Sequence, residues 1–160
     1  MWRQLRAIVP LPGMAVVAVP AAILLIGEGA DVGWGADWPL AALPLLLGLA
    51  LFAFGLTLFV RTVSLFARVG EGTLAPWDPP QRFVAEGPYR RWRHPMITGV
   101  LFMLLGEAAA FGSLSLLLWA GIFLAVNAAY LPLVEEPRLV RRFGREYEDY
   151  MRRVPRWLPR

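Results

Sequence analysis

The sequence predicts an all-α, multi-pass membrane bundle of about four transmembrane helices with a C-terminal amphipathic helix. Composition is the first reason. Of 160 residues 58% are hydrophobic and only 18% charged, against roughly 45–50% and about 25% in soluble domains; mean hydropathy is +0.52. Segmentation is the second: the apolar residues fall in four runs close to the about 20 residues that a spanning helix needs. The third is charge. All 16 basic residues are arginine, and they cluster on alternate connections between those runs. A disordered tail, a collagen-like fibre and a disulfide scaffold are excluded. The absence of Cys excludes thiol nucleophiles, Cys-ligated zinc and iron–sulfur clusters.

The first run covers Ile8 to Ile26 and contains Pro10, Pro12 and Pro20, so a kinked span is expected, which bundle neighbours tolerate. Arg3, Arg6 and the small run Gly27-Glu28-Gly29-Ala30 also fit a cleavable signal peptide; the length and the prolines favour a span. The second run covers Trp38 to Val60. The third, Pro95 to Phe111, is about 26 Å long at 1.5 Å per residue, enough if its ends lie among headgroups. Gly112-Ser113 turns it tightly into the fourth, Leu114 to Val134, so these two form a helical hairpin.

The arginines orient the bundle. Arg3 and Arg6 precede the first run, and the connection between the first and second has none. Arg61, Arg68, Arg82, Arg90, Arg91 and Arg93 lie between the second and third, and the other eight follow the fourth. With four spans every arginine falls on one side, and the positive-inside rule places both termini and the long middle connection in the cytoplasm. The pI of about 10.3 is thereby accounted for without nucleic acid. Arginine without lysine points to a GC-rich bacterial genome, and so to an inner membrane.

Residues 1–69 read as an N-terminal transmembrane pair and residues 70–160 as the functional core. Residues 70–92 are rich in Gly and Pro and have no helical period; this is a loop. Loops of that length are usually functional or disordered, and Trp77, Phe83, Tyr89 and Trp92 argue against disorder. Over residues 135–151, Leu139, Val140, Phe143, Tyr147, Tyr150 and Met151 repeat at 3.6 residues between arginines, predicting a basic amphipathic helix on the membrane surface. Pro137 suits its first turn and Pro155 its end. Trp157 is placed as an interfacial anchor.

His94 is the only histidine, at the entrance to the third run, and Glu135-Glu136 stands at the exit of the fourth. Because these runs form a hairpin, the two sites meet at one membrane face. Adjacent carboxylates beside arginines suit a small ligand that carries both a cation and an anion. They suit a metal poorly, since the arginines oppose a cation, and the sequence has no P-loop and no GxSxG motif. Glu107 and Asn127 are the other polar groups within the runs. Glu107 lies near the outer end, where a structural role is expected, and Asn127 faces either the pocket or a neighbouring helix.

GPYRRWRHPMITG, followed about 35 residues later by EEPRLVRRFGREYEDYMRRVPRWLP, resembles the integral-membrane methyltransferases. That superfamily holds the isoprenylcysteine carboxyl methyltransferases and the phospholipid (phosphatidylethanolamine) methyltransferases. The likeness covers about residues 70–160; the first two runs carry no signature. Arg93, His94, Pro95 and Gly99 match the first motif, Glu135, Glu136 and Leu139 the second, and Phe143, Gly144, Tyr147 and Tyr150 the third. Ile97 stands where the motif has Tyr, which removes a polar contact, leaves the substrate type open and argues against assigning the chain to either named branch.

The resemblance implies S-adenosylmethionine as cofactor, bound by the cytoplasmic C-terminal half, and a lipophilic acceptor that arrives from the bilayer. On that basis Arg93 and His94 would bind the methionine carboxylate or the adenosyl hydroxyls. Glu135 or Glu136 would meet the amino group or sulfonium, and Tyr89 or Tyr147 would face the cation or the adenine. Pro95 and Gly99 are carried over as cofactor-site positions. A carboxylate acceptor needs no general base; for an amine or a phenol, Glu136 or His94 is the expected one. Replacing Glu136 or Arg93 by Ala is expected to abolish cofactor binding and leave the fold intact. Two other classes compete: a nicotinamide-dependent membrane reductase, and a non-catalytic module whose basic helix binds anionic lipid or a partner.

Overall fold

Helix is the only regular structure in the residues that the computed structural model describes, 9–27, 30–69 and 83–157. Expectations for Arg3, Arg6, Trp77 and Arg82 lie outside the described residues. The first apolar run winds as a wide π-helix over Val9–Ala18 and tightens into helix α1, Val19–Ile26. Pro12 lies inside the wide part, where it cannot donate to the helical ladder. Pro20 sits in the first turn of α1, where no donor is needed.

Helix α2 is Ala42–Val69. It begins four residues after Trp38 and continues nine beyond Val60, because nothing from Arg61 to Val69 breaks a helix. Its hydroxyls are satisfied within it: Thr57 Oγ1 donates to the Ala53 carbonyl (2.8 Å) and Thr62 Oγ1 to that of Leu58 (2.7 Å). Helix α3, Pro95–Phe111, has the predicted bounds, with Pro95 in its first turn and Gly112 as a left-handed C-cap at φ 60°. Ser113 then caps helix α4, Leu114–Tyr130, by accepting from the Leu116 N–H at 3.3 Å. A Cβ at Gly112 would strike the Asp31 carbonyl oxygen, so the 30–41 connection lies directly on the hairpin turn.

Glycine sets the distance between α2 and α3. A Cβ at Gly55 would come 2.5 Å from the Gly99 carbonyl oxygen, and one at Gly106 would come 2.6 Å from that of Gly48. The two pairs are seven residues apart on each helix, the repeat that keeps one face of a helix on its neighbour. Small residues let membrane helices approach backbone to backbone. Across the bundle Val16, Phe59, Val100, Met103, Leu104 and Ala120 form a buried apolar cluster, and Trp119 Nε1 donates to the Ala15 carbonyl at 3.0 Å.

Leu25, Leu43, Leu46, Leu118 and Val126 are exposed, as expected of a bundle whose solvent is lipid. Two helical runs, Ala42–Leu65 and Leu114–Phe143, are long and apolar enough to cross a membrane; Pro12–Ile26 and Pro95–Phe111 are shorter apolar helices.

The fourth run departs from its expected form at its end. After α4 the chain opens into a π-helical turn, Leu131–Glu135, and tightens again into α5, Glu136–Phe143. Pro132 lies in the first turn of this wide segment and Pro137 in the first turn of α5, positions where a missing N–H costs no helical hydrogen bond. The continuous amphipathic helix expected over 135–151 is two helices, because Gly144 adopts φ 56°, ψ −133° and separates α5 from α6, Arg145–Arg153. The 3.6-residue pattern runs across the break and conceals it. Pro155 forces Val154 into extended backbone (φ −114°, ψ 123°), ending α6.

Candidate functional site

The site assembles at the end of the bundle where α3 begins and α4 gives way to α5. The chain enters through residues 83–85 and the extended Glu86, then a 3-10 turn at Gly87–Arg90, to His94, which stands just before α3. On the other side, the wide turn at 131–135 adds a residue to the helical phase. π-Helical turns are frequent at functional sites because they re-aim side chains in this way. Here Glu136 becomes buried while Glu135 stays partly exposed.

Glu136 is the hub. Its Oε1 accepts from Arg93 Nη1 at 2.9 Å, His94 Nε2 at 3.2 Å and Arg156 Nε at 2.9 Å, and its Oε2 accepts from Arg156 Nη2 at 2.7 Å. An ionised carboxylate can only accept, so His94 Nε2 carries the proton in this contact. Burial pushes the Glu136 carboxyl up, but the His94 and Arg156 hydrogen bonds and the charges of Arg93 and Arg156 outweigh it and hold its pKa at about 2. The Arg93 N–H donates to the Pro155 carbonyl at 3.0 Å, tying the tail after α6 to the same spot.

Glu135 is placed differently. Its Oε1 lies 3.9 Å from His94 Nδ1. Burial pushes its carboxyl above the usual carboxylate range, with Glu136 adding to the effect against His94 and Arg138. Of the two adjacent glutamates, one is locked by cations and the other is held near His94 without such a lock.

An aromatic wall backs the cluster. Phe83 packs against Phe143, Tyr147 and Tyr150 with ring centroids 5.5, 5.5 and 5.0 Å away. The Tyr150 hydroxyl donates to the Tyr89 carbonyl at 2.7 Å, which fastens the 83–92 segment to α6. Burial raises the pKa values of Tyr89, Tyr147 and Tyr150, so all three stay neutral phenols. Trp92 Nε1, Arg93 Nε and the Tyr147 hydroxyl are buried without a hydrogen-bond partner among the described residues. Beside them an open groove of about 520 Å³ is lined by Pro132, Glu136, Pro137, Val140, Arg141 and Met151.

Of the residues singled out from sequence, Arg93, His94, Glu135, Glu136 and Tyr147 come together, and Tyr89 and Pro95 lie immediately behind them. Gly99 does not join them: a Cβ there would meet the Gly55 carbonyl oxygen at 2.9 Å, so it belongs to the helix seam. Asn127 donates to the Phe123 carbonyl of its own helix at 2.8 Å. Glu107 lies at the opposite end of α3, with Oε2 buried and unpartnered among the described residues. Arg156 was missed. In the sequence it is one more arginine in a basic tail, and only its neighbours Val154 and Pro155 mark it as leaving the helix. Among the described residues no group of His, Cys, Asp and Glu is arranged to hold a metal ion.

The arrangement puts one fixed carboxylate, one adaptable carboxylate, an imidazole and unsatisfied donors at one end of a hydrophobic bundle. A family model described as phospholipid methyltransferase matches residues 43–146, about two thirds of the chain. The chain belongs to the phospholipid methyltransferase family. No curated protein matches it. Membership makes it a membrane methyltransferase, consistent with its apolar helices. The family match begins inside α2 and ends early in α6, so it takes in the glycine seam, Arg93, His94 and both glutamates. Tyr147, Tyr150 and Arg156 lie beyond it.

Proposed function

We propose that this phospholipid methyltransferase family member transfers a methyl group from S-adenosylmethionine to the polar head of a lipophilic acceptor at the cytoplasmic membrane face. The observation that carries the reading is the pairing of opposite demands in one buried cluster. Glu135 offers a carboxylate without a charge-assisted hydrogen bond, while Arg93 Nε, beside the Tyr147 hydroxyl, is a buried donor without an acceptor among the described residues. S-adenosylmethionine has a sulfonium and an ammonium for the first and a carboxylate and hydroxyls for the second, and it supplies an electrophilic methyl group.

The residues then divide the work. Glu135 meets the cation. Arg93 and His94 bind and orient the anionic or hydroxyl portion. Glu136 serves as a positioning residue, because its four hydrogen bonds and its pKa of about 2 leave it no capacity as a base at neutral pH. It holds His94 by Nε2, so Nδ1 is the atom that can take a proton from an amine or hydroxyl acceptor. Alignment supplies most of the acceleration in such a displacement. The 83–92 segment and the α5–α6 pair shield the cluster from water, and the open direction is toward the acyl chains. There the exposed Ala128 and Ala129 of α4 leave room for a lipid chain. All arginines lie on the side of the site in a four-span arrangement, which puts both termini in the cytoplasm.

The test is lipid and metabolite profiling with a labelled methyl donor in cells with and without the protein. A lipid that gains label only with the protein is expected. Calorimetry on the purified protein is expected to give heat with S-adenosylmethionine and none with NADPH; the reverse would sink the reading. Reporter fusions after Arg68 and at the C-terminus should report cytoplasm, and one after Asp31 the outside.

A further inference from the structure

Helices α5 and α6 differ in charge, although one basic pattern runs through both. α6 carries Arg145, Arg152 and Arg153 against Glu146, Glu148 and Asp149, and Arg152 Nη1 lies 3.8 Å from Asp149 Oδ1. α5 carries Arg138, Arg141 and Arg142, all exposed. Its one carboxylate, Glu136, is buried and taken by Arg93, His94 and Arg156. Glu135, just before α5, interacts with Arg138; no carboxylate pairs with Arg141 or Arg142 among the described residues. Arg142 lies over the Phe143 ring, 5.6 Å from its centroid, a contact that leaves its charge in place. The apolar side chains of both helices, Leu139, Val140, Phe143 and Met151, pack on Tyr147, Tyr150 and Val154. What α5 offers outward is therefore charge, with no apolar face left to insert into a bilayer.

We infer that the arginine face of α5 is a docking surface for the headgroups of anionic phospholipids in the adjoining leaflet. Its place in the fold fits that partner. α4, the wide turn and α5 form one helical run, Leu114–Phe143, and on it Leu133 is still 74% exposed, as a lipid-facing residue is. At 1.5 Å per residue Arg138 stands about 7 Å beyond Leu133 and Arg142 about 14 Å; the headgroup layer of one leaflet is about 5–8 Å thick. Helical side chains lean toward the N-terminus of their helix, which for α5 is the bilayer. Arg141 shows the lean, because its Nε donates to the Pro137 carbonyl at 3.3 Å. A guanidinium offers a phosphate both charge and paired N–H donors. The lipid is held there and not methylated, so nothing in the docking depends on the methyl-transfer reading. Its effect is to steady α5, and with it Glu136.

The experiment places the full chain in nanodiscs of phosphatidylcholine with a minor share of phosphatidylglycerol. It compares the ratio of the two lipids that stay with the protein on extraction with the ratio in bulk. Two triple variants remove the same charge: Arg138→Gln, Arg141→Gln and Arg142→Gln on α5, and Arg145→Gln, Arg152→Gln and Arg153→Gln on α6. One arginine near an anionic surface contributes about fivefold in affinity. The parent should therefore enrich phosphatidylglycerol about fivefold or more, the α6 variant should keep most of that, and the α5 variant should fall to the bulk ratio. The parent's enrichment should also vanish in salt of about 1 M, where charges are screened beyond about 3 Å. A parent at the bulk ratio, an enrichment that survives the salt, or an α5 variant that enriches like the parent overturns the proposal. So does an equal loss in both variants, which would show net charge at work and not α5. Should the α5 triple variant fail to fold, Arg141→Gln alone, at an exposed side chain, takes its place; an enrichment that it leaves unchanged overturns the proposal in the same way.

Discussion

Arg156 forks onto both oxygens of Glu136, Nε to Oε1 at 2.9 Å and Nη2 to Oε2 at 2.7 Å. The two residues are 20 positions apart, one opening α5 and the other following α6. Bidentate guanidinium–carboxylate pairs impose geometry as well as attraction, so this contact folds the tail back across the Gly144 break and beside Arg93. The glutamate that sequence motifs present as a ligand for a cationic substrate is already the ligand of the protein's own cations.

Removing that carboxylate therefore affects the fold. Sequence alone leads one to expect Glu136→Ala to lose cofactor binding and keep its structure. With Arg93, His94 and Arg156 all converging on a buried carboxylate, Ala should cost about 3–5 kcal/mol, the range for stripping one partner from a buried ion pair. Thermal unfolding in detergent should show a large drop for Glu136→Ala. Arg156→Ala, at a third-exposed side chain, should cost about 1 kcal/mol, since solvent screens that partner.

The same group sets an acid limit. The Glu136 carboxyl is held at about 2 against an ordinary 4.5. A depressed carboxyl contributes stability that is complete above its unfolded pKa and disappears as pH falls through the folded one. Melting temperature should drop from pH 4.5 toward pH 2. Glu136→Gln should start lower at neutral pH and show a shallower slope across that window. An acid limb as steep as the parent's would show that other groups carry it.

The glycine seam predicts a contrast between two similar substitutions. At Gly106 a Cβ meets backbone at 2.6 Å on two sides, the Gly48 oxygen and the Phe52 nitrogen. Gly106→Ala must push α2 and α3 apart, at about 1–3 kcal/mol, the cost of overpacking. At Gly121 nothing lies within 4 Å, so Gly121→Ala should be neutral or slightly stabilising. Melting of both variants checks this, and methyl transfer should fall only in Gly106→Ala, because His94 caps the N-terminus of α3.

Gly144→Val probes the break between α5 and α6. A β-branched residue at φ 56° and ψ −133° is strained by about 1–3 kcal/mol, although a Cβ there meets nothing within 4 Å. A variant that relieves the strain by straightening the helix would carry Tyr147 away from Arg93. Cofactor affinity should then fall by more than the melting temperature suggests.

Lateral entry of the acceptor predicts that Ala128→Trp, on the exposed face of α4, blocks turnover of a lipid acceptor and spares S-adenosylmethionine binding. Turnover confined to small water-soluble acceptors and unaffected by the substitution would refute that route.

Much of the fold was legible in the residues because hydropathy acts locally. The four apolar runs, the Gly112-Ser113 turn and the α3 boundaries follow from side chains and caps within a few positions of each other. The meeting of Arg93-His94 with Glu135-Glu136 follows from the hairpin alone. Gly48, Gly55, Gly99 and Gly106 were visible too: their matched seven-residue spacings could have disclosed an antiparallel seam between the second and third runs.

Three-dimensional packing decided the rest. Which of two adjacent glutamates is buried depends on the extra residue in the π-helical turn at 131–135, a phase change that hydrophobic periodicity does not register. Where the amphipathic pattern breaks depends on one glycine's backbone angles, since the pattern is the same on both sides. That Arg156, and no other arginine among the described residues, makes the bidentate contact with Glu136 depends on where a chain leaving α6 is folded back. Local chemistry determines which segments become helices and which end of the bundle is charged; the pairing of charges across the end of that bundle is a long-range choice, made only when the helices have packed.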